Sequence, residues 1–86
     1  MFFYAYLLKS ETGGRYYIGF THNLKQRLEK YNGRKSYWTK RYALWKLVYF
    51  EGYKAKEDAL RREKQLKRFA KGFAQLKGRL RETIKL

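Results

Sequence analysis

Cysteine is absent from this chain of 86 residues, so its fold has to be stabilised without disulfide bonds or thiolate metal sites. The length is that of one domain, near the lower end of the sizes that fold unaided. A packed core is possible, because 44% of the residues are hydrophobic and 20% are aromatic, and aromatic side chains bury a large area each. We therefore expect one folded domain over residues 1–86 rather than a disordered chain.

The net charge restricts the function as strongly as the aromatic content restricts the fold. Lys and Arg number 22 and Asp and Glu number 7, which gives a formal charge of +15. Charge of one sign at this density repels itself, so a polyanionic partner, nucleic acid, is the preferred explanation. A basic surface without a specific partner stays open. A membrane-surface protein is disfavoured, because no amphipathic helix separate from the core is visible.

The sequence contains no candidate for a membrane anchor. No stretch reaches the roughly 20 apolar residues that a spanning helix needs. The first residues, MFFYAYLLKS, have no basic region before their short apolar run, so we interpret them as a strand and not as a signal peptide. We expect a cytoplasmic protein, monomeric by default and without membrane contact.

The N-terminal part of the chain predicts a β-hairpin followed by a helix. Residues 2–9 and 15–20 are aromatic and aliphatic, as in strands, and the glycine-containing turn at 10–14 joins them. Thr21-His22-Asn23 begins a helix in which Asn23 and Gln26 resemble a capping box. Apolar residues recur along it with helical spacing, and Asn32-Gly33 ends it.

The rest of the chain predicts one more strand and two helices. The strand covers residues 44–51, with a turn at 52–54, and residues 34–43 are basic and irregular. One helix runs from about residue 56 to 70 and another from about 73 to 83, with Gly72 expected to interrupt them. The predicted fold is α/β of the α+β kind: a three-stranded, mainly antiparallel sheet flanked by helices, in the order β-β-α-β-α-α.

Glu63 is the most informative single residue. On a helical wheel at about 100° per residue it falls between Ala59 and Leu60, inside the apolar stripe of its helix. A carboxylate there costs free energy unless it is paired or binds a cation. Two interpretations stay open at this point: a buried salt bridge to a neighbouring arginine, or a ligand of a hard cation such as Mg²⁺.

Arg27 and Tyr31 are four residues apart on the first helix, so their side chains project together. Together they can place a guanidinium and a phenol on one phosphate. Taken singly, Arg27 can also be a solvated cation and Tyr31 an ordinary core residue.

The hairpin carries tyrosines on both faces. Tyr4 and Tyr6 share one face of the first strand, and Tyr16 and Tyr17 point to opposite faces of the second. This exceeds the needs of a small core, although packing alone stays an equal alternative. His22, the only histidine, is interpreted as a surface or capping residue.

Other catalytic arrangements are missing from the sequence. It has no His/Cys cluster for zinc, no serine–histidine–carboxylate set and no glycine-rich phosphate loop. Proton transfer near neutral pH would have to use tyrosine, lysine or metal-bound water. This leaves metal-assisted phosphodiester chemistry or plain binding.

Several of these residues together resemble the GIY-YIG nuclease signature. Tyr4-Ala5-Tyr6 is followed, after ten residues, by Tyr17-Ile18-Gly19; the second triplet matches outright, and the first keeps only its terminal tyrosine. Thr21, Asn23-Leu24 and Arg27-Leu28 are similar to the continuation of that signature into its first helix. Residues 45–49 and 62–67 resemble short, free-standing bacterial members, so the similarity covers roughly residues 3–70.

The resemblance implies a set of site residues and their roles. Glu63 would hold Mg²⁺ or Mn²⁺, and Arg27 would bind the scissile phosphate. Tyr6 would be the base and Tyr17 a positioning group, although these two roles can be exchanged, and Tyr31 would hydrogen-bond near the same phosphate oxygen. One departure is that no asparagine follows Asn32, whereas some larger members use an asparagine late in the domain.

Members of the family that this sequence resembles usually combine the nuclease domain with a separate DNA-binding domain. We expect no such domain here, so the basic surface itself should bind the substrate. Contacts to the phosphate backbone position a strand without reading its sequence. The residues predicted to make them are Lys35, Lys40, Arg41, Lys64 and Arg68. Tyr37 and Trp38 can stack on unpaired bases, which would favour single-stranded or branched substrates, or they can belong to the core.

The sequence thus predicts a metal-dependent endonuclease that hydrolyses DNA, with DNA preferred to RNA, no small-molecule cofactor and DNA repair as the expected setting. The alternative is a nucleic-acid-binding module on the same scaffold, in which Glu63 is a salt-bridge partner and the tyrosines only pack. A third, weaker hypothesis is a small basic partner of the ribosome or of a larger repair complex.

Overall fold

The elements follow one another in the predicted order. The computed structural model describes residues 1–11, 14–32, 44–68 and 70–85. Its elements are the strands β1 (Phe3–Ser10), β2 (Tyr16–Thr21) and β3 (Trp45–Tyr53), the helices α1 (Leu24–Asn32), α2 (Lys56–Arg68) and α3 (Ala70–Arg79), and a short 3₁₀ helix (Thr83–Lys85). The predicted fold class is confirmed.

The three strands form one antiparallel sheet with β1 in the centre, in the order β2-β1-β3. Four consecutive residues of β1, Ala5 to Leu8, are buried, none more than 2% exposed. A central strand covered on both faces is apolar without alternation, as this one is. The pairing of β1 with β3 shifts by one residue between Leu7 and Leu8, which marks a β-bulge in β3.

The two faces of the sheet carry different helices. Leu7 packs in one core with Ile18 of β2, Leu66 of α2 and Leu76 of α3. Tyr6 and Leu8 pack in a second core with Trp45, against side chains of α1. Because neighbouring residues of a strand point to opposite faces, α2 and α3 cover one face. The other, which carries Tyr4, Tyr6 and Leu8, is called the α1 face below.

The start of α1 is fixed by side-chain hydrogen bonds. The buried hydroxyl of Thr21 accepts a hydrogen bond from the Asn23 amide (3.1 Å). The Asn23 side-chain oxygen accepts one from the backbone N–H of Gln26 (3.0 Å). This confirms the predicted N-cap, which satisfies one of the free donors of the first turn.

The structure corrects two predicted boundaries. Gly52 and Tyr53 belong to β3 and not to a turn, because they pair with Tyr4 and Phe3 of β1. Gly72 lies inside α3 and does not interrupt it, so that helix covers Ala70–Arg79 instead of 73–83. Glycine costs only about 1 kcal/mol in a helix interior, and packing of Leu76 and Phe73 on the first core offsets this. The irregular segment predicted at 34–43 lies outside the described residues.

Within the residues that the structure describes, no helix is long and apolar enough to cross a membrane.

Candidate active site

Tyr6 is the centre of the candidate site. Its side chain is only 2% exposed, and its hydroxyl has no hydrogen-bond partner of normal geometry among the described residues, although Tyr31 lies near enough to influence its titration. Burial raises the pKa of Tyr6 to about 12, against the opposite effect of the nearby Arg27 guanidinium. A buried hydroxyl without a partner is uncommon and needs an explanation.

Gly19 makes room for the ring of Tyr6. The two residues are directly opposite each other on neighbouring strands. A Cβ atom on Gly19 would lie 2.5 Å from Cζ of Tyr6 and nearer still to its hydroxyl, and 3.0 Å from Cε1 of Tyr17. Only glycine fits here without a shift of a buried ring. The packing gives a physical reason for the glycine of the second signature triplet, which the sequence alone did not provide.

Three tyrosines from two parts of the chain meet at this point. The ring centroids of Tyr6 and Tyr17 are 6.4 Å apart, and those of Tyr17 and Tyr31 are 4.9 Å apart. Burial, together with a hydrogen bond to Tyr17, raises the pKa of Tyr31 far above its usual range. The hairpin and α1 therefore bring together the three tyrosines predicted as site residues.

Arg27 lies one turn before Tyr31 on α1 and is half-buried. Its charge acts on the hydroxyl of Tyr6 and lowers the pKa of that group, which burial raises. A half-buried guanidinium beside a buried phenol is a suitable anion site, because its planar donors match phosphate oxygens.

Glu63 completes the arrangement from α2. Its side chain is 16% exposed beside the buried Ala59 and Leu66, as the helical wheel predicted. Its Oε2 lies 3.0 Å from Nζ of Lys67. Among the described residues the salt-bridge alternative therefore has a lysine as its partner and not an arginine. The Glu63 charge also acts on Tyr6, whose pKa it raises.

Lys67 was not among the predicted site residues. Besides pairing with Glu63, its Nζ lies 5.6 Å from the centroid of the Tyr17 ring, a cation–π distance. It therefore links the carboxylate to the tyrosines. The Glu-x-x-x-Lys spacing was the available signal, since residues four apart share a helix face.

The described donor set fits a hard metal ion held by a single carboxylate. Over the described ranges, no group of three or more His, Cys, Asp or Glu side chains comes together. Zinc needs three or four such ligands. Mg²⁺ can be held by one carboxylate together with waters and substrate phosphate, and Glu63 fits that role.

The predicted backbone contacts divide into two groups. Lys64 and Arg68 are exposed on α2, four residues apart and next to the Glu63–Lys67 pair, so they lie at the edge of the site. The other residues with predicted nucleic-acid contacts lie outside the described residues: Lys35, Lys40, Arg41, Tyr37 and Trp38.

Asn32 joins the end of α1 to the start of β3. Its side-chain amide donates to the carbonyl of Trp45 (2.9 Å) and accepts from the amide of Trp45 (2.8 Å). Tyr31, the neighbour of Asn32, packs on Trp45 with ring centroids 6.2 Å apart. This two-bond clamp, Asn32–Trp45, holds α1 and its Arg27 and Tyr31 on the sheet.

Glu51 provides a corresponding link for α2. Its carboxylate accepts hydrogen bonds from Tyr49 (2.6 Å), from Tyr53 and from Nε of Arg62 (3.0 and 3.1 Å). Burial acts to raise the Glu51 pKa, but the hydrogen bonds and the Arg62 charge outweigh it, so the pKa is lowered. Arg62 precedes Glu63, so this pairing fixes α2 on β3 beside the site. No local sequence pattern indicates this link, because its two partners are eleven residues apart on different elements.

Comparison with known proteins identifies relatives of this chain. A family model described as the GIY-YIG catalytic domain matches residues 2–73. Two UPF0213 proteins of Streptococcus pneumoniae are 38% and 36% identical to this chain over 66 residues. These matches span 76% of the chain and 66% of each relative, slightly less than two thirds of the relatives' length.

One solved structure is also similar. The solution NMR structure of a UPF0213 protein from Bacillus halodurans matches with a TM-score of 0.56 and 27% identity, over 98% of this chain and 94% of that one. The family model covers most of the chain, and the two triplets that resemble the family signature contribute Tyr6 and Tyr17, two of the three tyrosines that meet in the site. The chain therefore belongs to the GIY-YIG nuclease family.

Proposed function

We propose that the protein is a metal-dependent endonuclease that hydrolyses phosphodiester bonds in DNA. The observation that carries the proposal is the convergence of five side chains from the hairpin, α1 and α2 around one buried hydroxyl, that of Tyr6, which has no hydrogen-bond partner among the described residues. The five are Tyr6, Tyr17, Arg27, Tyr31 and Glu63. The formal charge of +15 supports a polyanionic substrate.

Arg27 is the proposed phosphate ligand, because its guanidinium lies near enough to Tyr6 to lower the pKa of that group and is always charged. As water attacks the phosphorus and the bond to the leaving oxygen breaks, negative charge builds up on the phosphate oxygens. A preorganised cation and hydrogen-bond donors at that point stabilise the transition state. Tyr31 is the second donor proposed here.

Tyr6 is the proposed base, in direct or water-mediated contact with the attacking water. Its hydroxyl has no hydrogen-bond partner among the described residues, so its hydrogen-bonding capacity is available for such a contact. With a pKa of about 12, only about one Tyr6 in 10⁵ is ionised at pH 7 in the free protein, so the phenolate requires added positive charge. Mg²⁺ or Mn²⁺ held by Glu63 would supply that charge, polarise the phosphate and stabilise the leaving oxygen.

Lys67 forms an ion pair with the carboxylate of Glu63. Its ion pair with Glu63 compensates the half-buried charge, and exposure of 48% leaves the lysine side chain free to move away when another cation competes.

The Glu63–Lys67 pair also favours the alternative function, a nucleic-acid-binding module without catalysis. In that case Glu63 is already satisfied and needs no metal. A cytoplasmic location, a monomeric state and a setting in DNA repair stay predictions under either function.

The test is cleavage of labelled single-stranded, double-stranded and branched DNA, and of the matching RNA, with Mg²⁺, Mn²⁺ or EDTA. Glu63→Gln should lower the rate of metal-dependent cleavage at least about 10²-fold, as does the loss of other groups that stabilise a transition state. Binding of the nucleic acid should persist. Glu82→Gln is the matched control, because Glu82 is 83% exposed and pairs with Lys85 in a similar way. Tight, salt-sensitive binding without cleavage of any substrate would refute the nuclease and support the binding module.

A further inference from the structure

Three aromatic side chains continue the α1 face beyond Tyr6. Phe2 is 47% exposed and Phe50 51% exposed, and Tyr4, whose ring contacts that of Phe50, is half-buried. Alternation along β1 places Tyr4 on the same face as Tyr6. Phe50 is the pairing partner of Tyr6 on β3, so it shares that face as well. We call Phe2, Tyr4 and Phe50 the aromatic platform.

The platform is a built surface and not three separate side chains. The rings of Tyr4 and Phe50 meet edge to face, with centroids 5.7 Å apart and planes at 76°. Gly52, opposite Tyr4, leaves space for the rings: a Cβ there would lie 3.3 Å from Cε1 of Tyr4 and 3.7 Å from Cδ1 of Phe2. Each tyrosine of β1 on this face thus has a glycine across from it, Gly19 for Tyr6 and Gly52 for Tyr4.

The platform is continuous with the candidate active site. Tyr4 and Tyr6 are two residues apart on one strand, which separates their Cα atoms by about 7 Å. The second core, which α1 covers, includes Tyr6 but none of the three platform residues. A strand of nucleic acid with one phosphate at Arg27 would therefore have its adjoining bases close to exposed rings.

Charge identifies the class of partner. A second copy of the chain would bring another +15 against this face, whereas a nucleic acid is attracted to it. Lys54 and Lys56 are exposed directly after β3, at the end of the sheet where Phe3 pairs with Tyr53. They are available for phosphates beside the platform.

Exposed rings distinguish between forms of nucleic acid. In a duplex the faces of the bases are covered by their neighbours, so a protein meets mainly phosphates and groove edges. Unpaired bases offer their faces, and aromatic side chains stack on them with little regard to sequence. We propose that the aromatic platform stacks the unpaired bases that adjoin the scissile phosphate, so that the substrate is single-stranded at this point.

The position of the phosphate rests on the proposed nuclease function, but the platform is tested by binding alone. Fluorescence anisotropy in EDTA measures the affinity for a short labelled oligothymidylate and for a duplex of equal length. Phe50→Ala should weaken single-strand binding about tenfold, from a stacking contribution of about 1–3 kcal/mol per base, and change duplex binding less than about twofold. Phe50→Trp should keep the wild-type affinity. Leu44→Ala is the matched control, because Leu44 is 54% exposed without being aromatic.

A spectroscopic signal reports stacking directly. An oligonucleotide that carries 2-aminopurine should lose fluorescence on binding to the wild type and to Phe50→Trp, and retain most of it with Phe2→Ala/Phe50→Ala. Both substituted positions are exposed, so circular dichroism should show an unchanged fold.

Two results would overturn the proposal. One is an equal loss of single-strand and duplex affinity in Phe50→Ala, or no loss in either. The other is a concentration-dependent dimer in sedimentation that Phe50→Ala abolishes while single-strand affinity stays the same, which would assign the platform to a second copy. EDTA prevents metal-dependent cleavage during the binding measurement. The result of the binding test therefore does not depend on whether the protein is a nuclease.

Discussion

Tyr6→Phe should make the protein more stable and at the same time inactive. The substitution removes one oxygen atom and keeps the ring that packs in the second core. That oxygen is buried and has no hydrogen-bond partner among the described residues. A group that lost its water on folding and gained nothing in return opposes folding, so its removal should increase the free energy of unfolding.

The size of the effect follows from the desolvation of one hydroxyl. An unsatisfied buried polar group costs about 1–3 kcal/mol. The nearby Tyr31 and Arg27 recover part of this through electrostatic interaction, so we expect a gain near the lower limit, about 1 kcal/mol. For a domain of this size such a gain raises Tm by about 4–8 °C.

Tyr49→Phe is the matched control with the opposite sign. The hydroxyl of Tyr49 donates to Glu51 at 2.6 Å, so its removal should cost about 1–2 kcal/mol. Urea and thermal unfolding of the two variants, followed by circular dichroism, give the comparison, and cleavage with Mn²⁺ gives the activity. A destabilised Tyr6→Phe would refute the reasoning, because it would mean that the hydroxyl is satisfied in the folded protein.

Two further predictions concern Gly19 and Glu51. Gly19→Ala should lower the free energy of unfolding in urea by about 1–3 kcal/mol, because the new methyl group overlaps the buried Tyr6 ring. Gly78→Ala, where the added Cβ meets nothing within 4 Å, should be neutral or stabilising by up to about 1 kcal/mol, and equal effects would contradict the steric argument. The pKa of Glu51 is lowered from its ordinary 4.5, so its contribution to stability is present above about pH 4.5 and is lost as the pH falls through the folded-state value. Glu51→Gln should therefore be less stable at neutral pH and show a shallower loss of stability in acid urea titrations, and an unchanged slope would show that Glu51 is not linked to folding.

Local patterns were sufficient for most of the architecture. Aromatic and aliphatic content located β1 and β2, and the side chain of Asn23 marked the start of α1, because each signal acts within a few residues. The wheel position of Glu63 was correct for the same reason. For these residues, neighbours close in the sequence are enough to determine the local structure.

Contacts between distant segments were not predictable in this way. Gly52 is in β3 because Tyr4 pairs with it, and Gly72 is helical because α3 packs on the sheet. The link from Glu51 to Arg62 and the fit of Tyr6 over Gly19 also depend on elements far apart in the chain. Lys67 is a different case. Its spacing from Glu63 is visible in the sequence, but a lysine on the exposed face of a helix can pair with several partners or with none.

The Asn32–Trp45 clamp also bears on how this fold can change during evolution. Two hydrogen bonds fix both ends of the chain segment between α1 and β3, so the positions of Tyr31 and Trp45 do not depend on the length of that segment. Loop-closure free energy grows slowly, by about 0.6 kcal/mol for each doubling in length. An insertion between residues 32 and 45 could therefore add a new recognition element beside the candidate site while Tyr31 and Trp45 stay joined through the clamp.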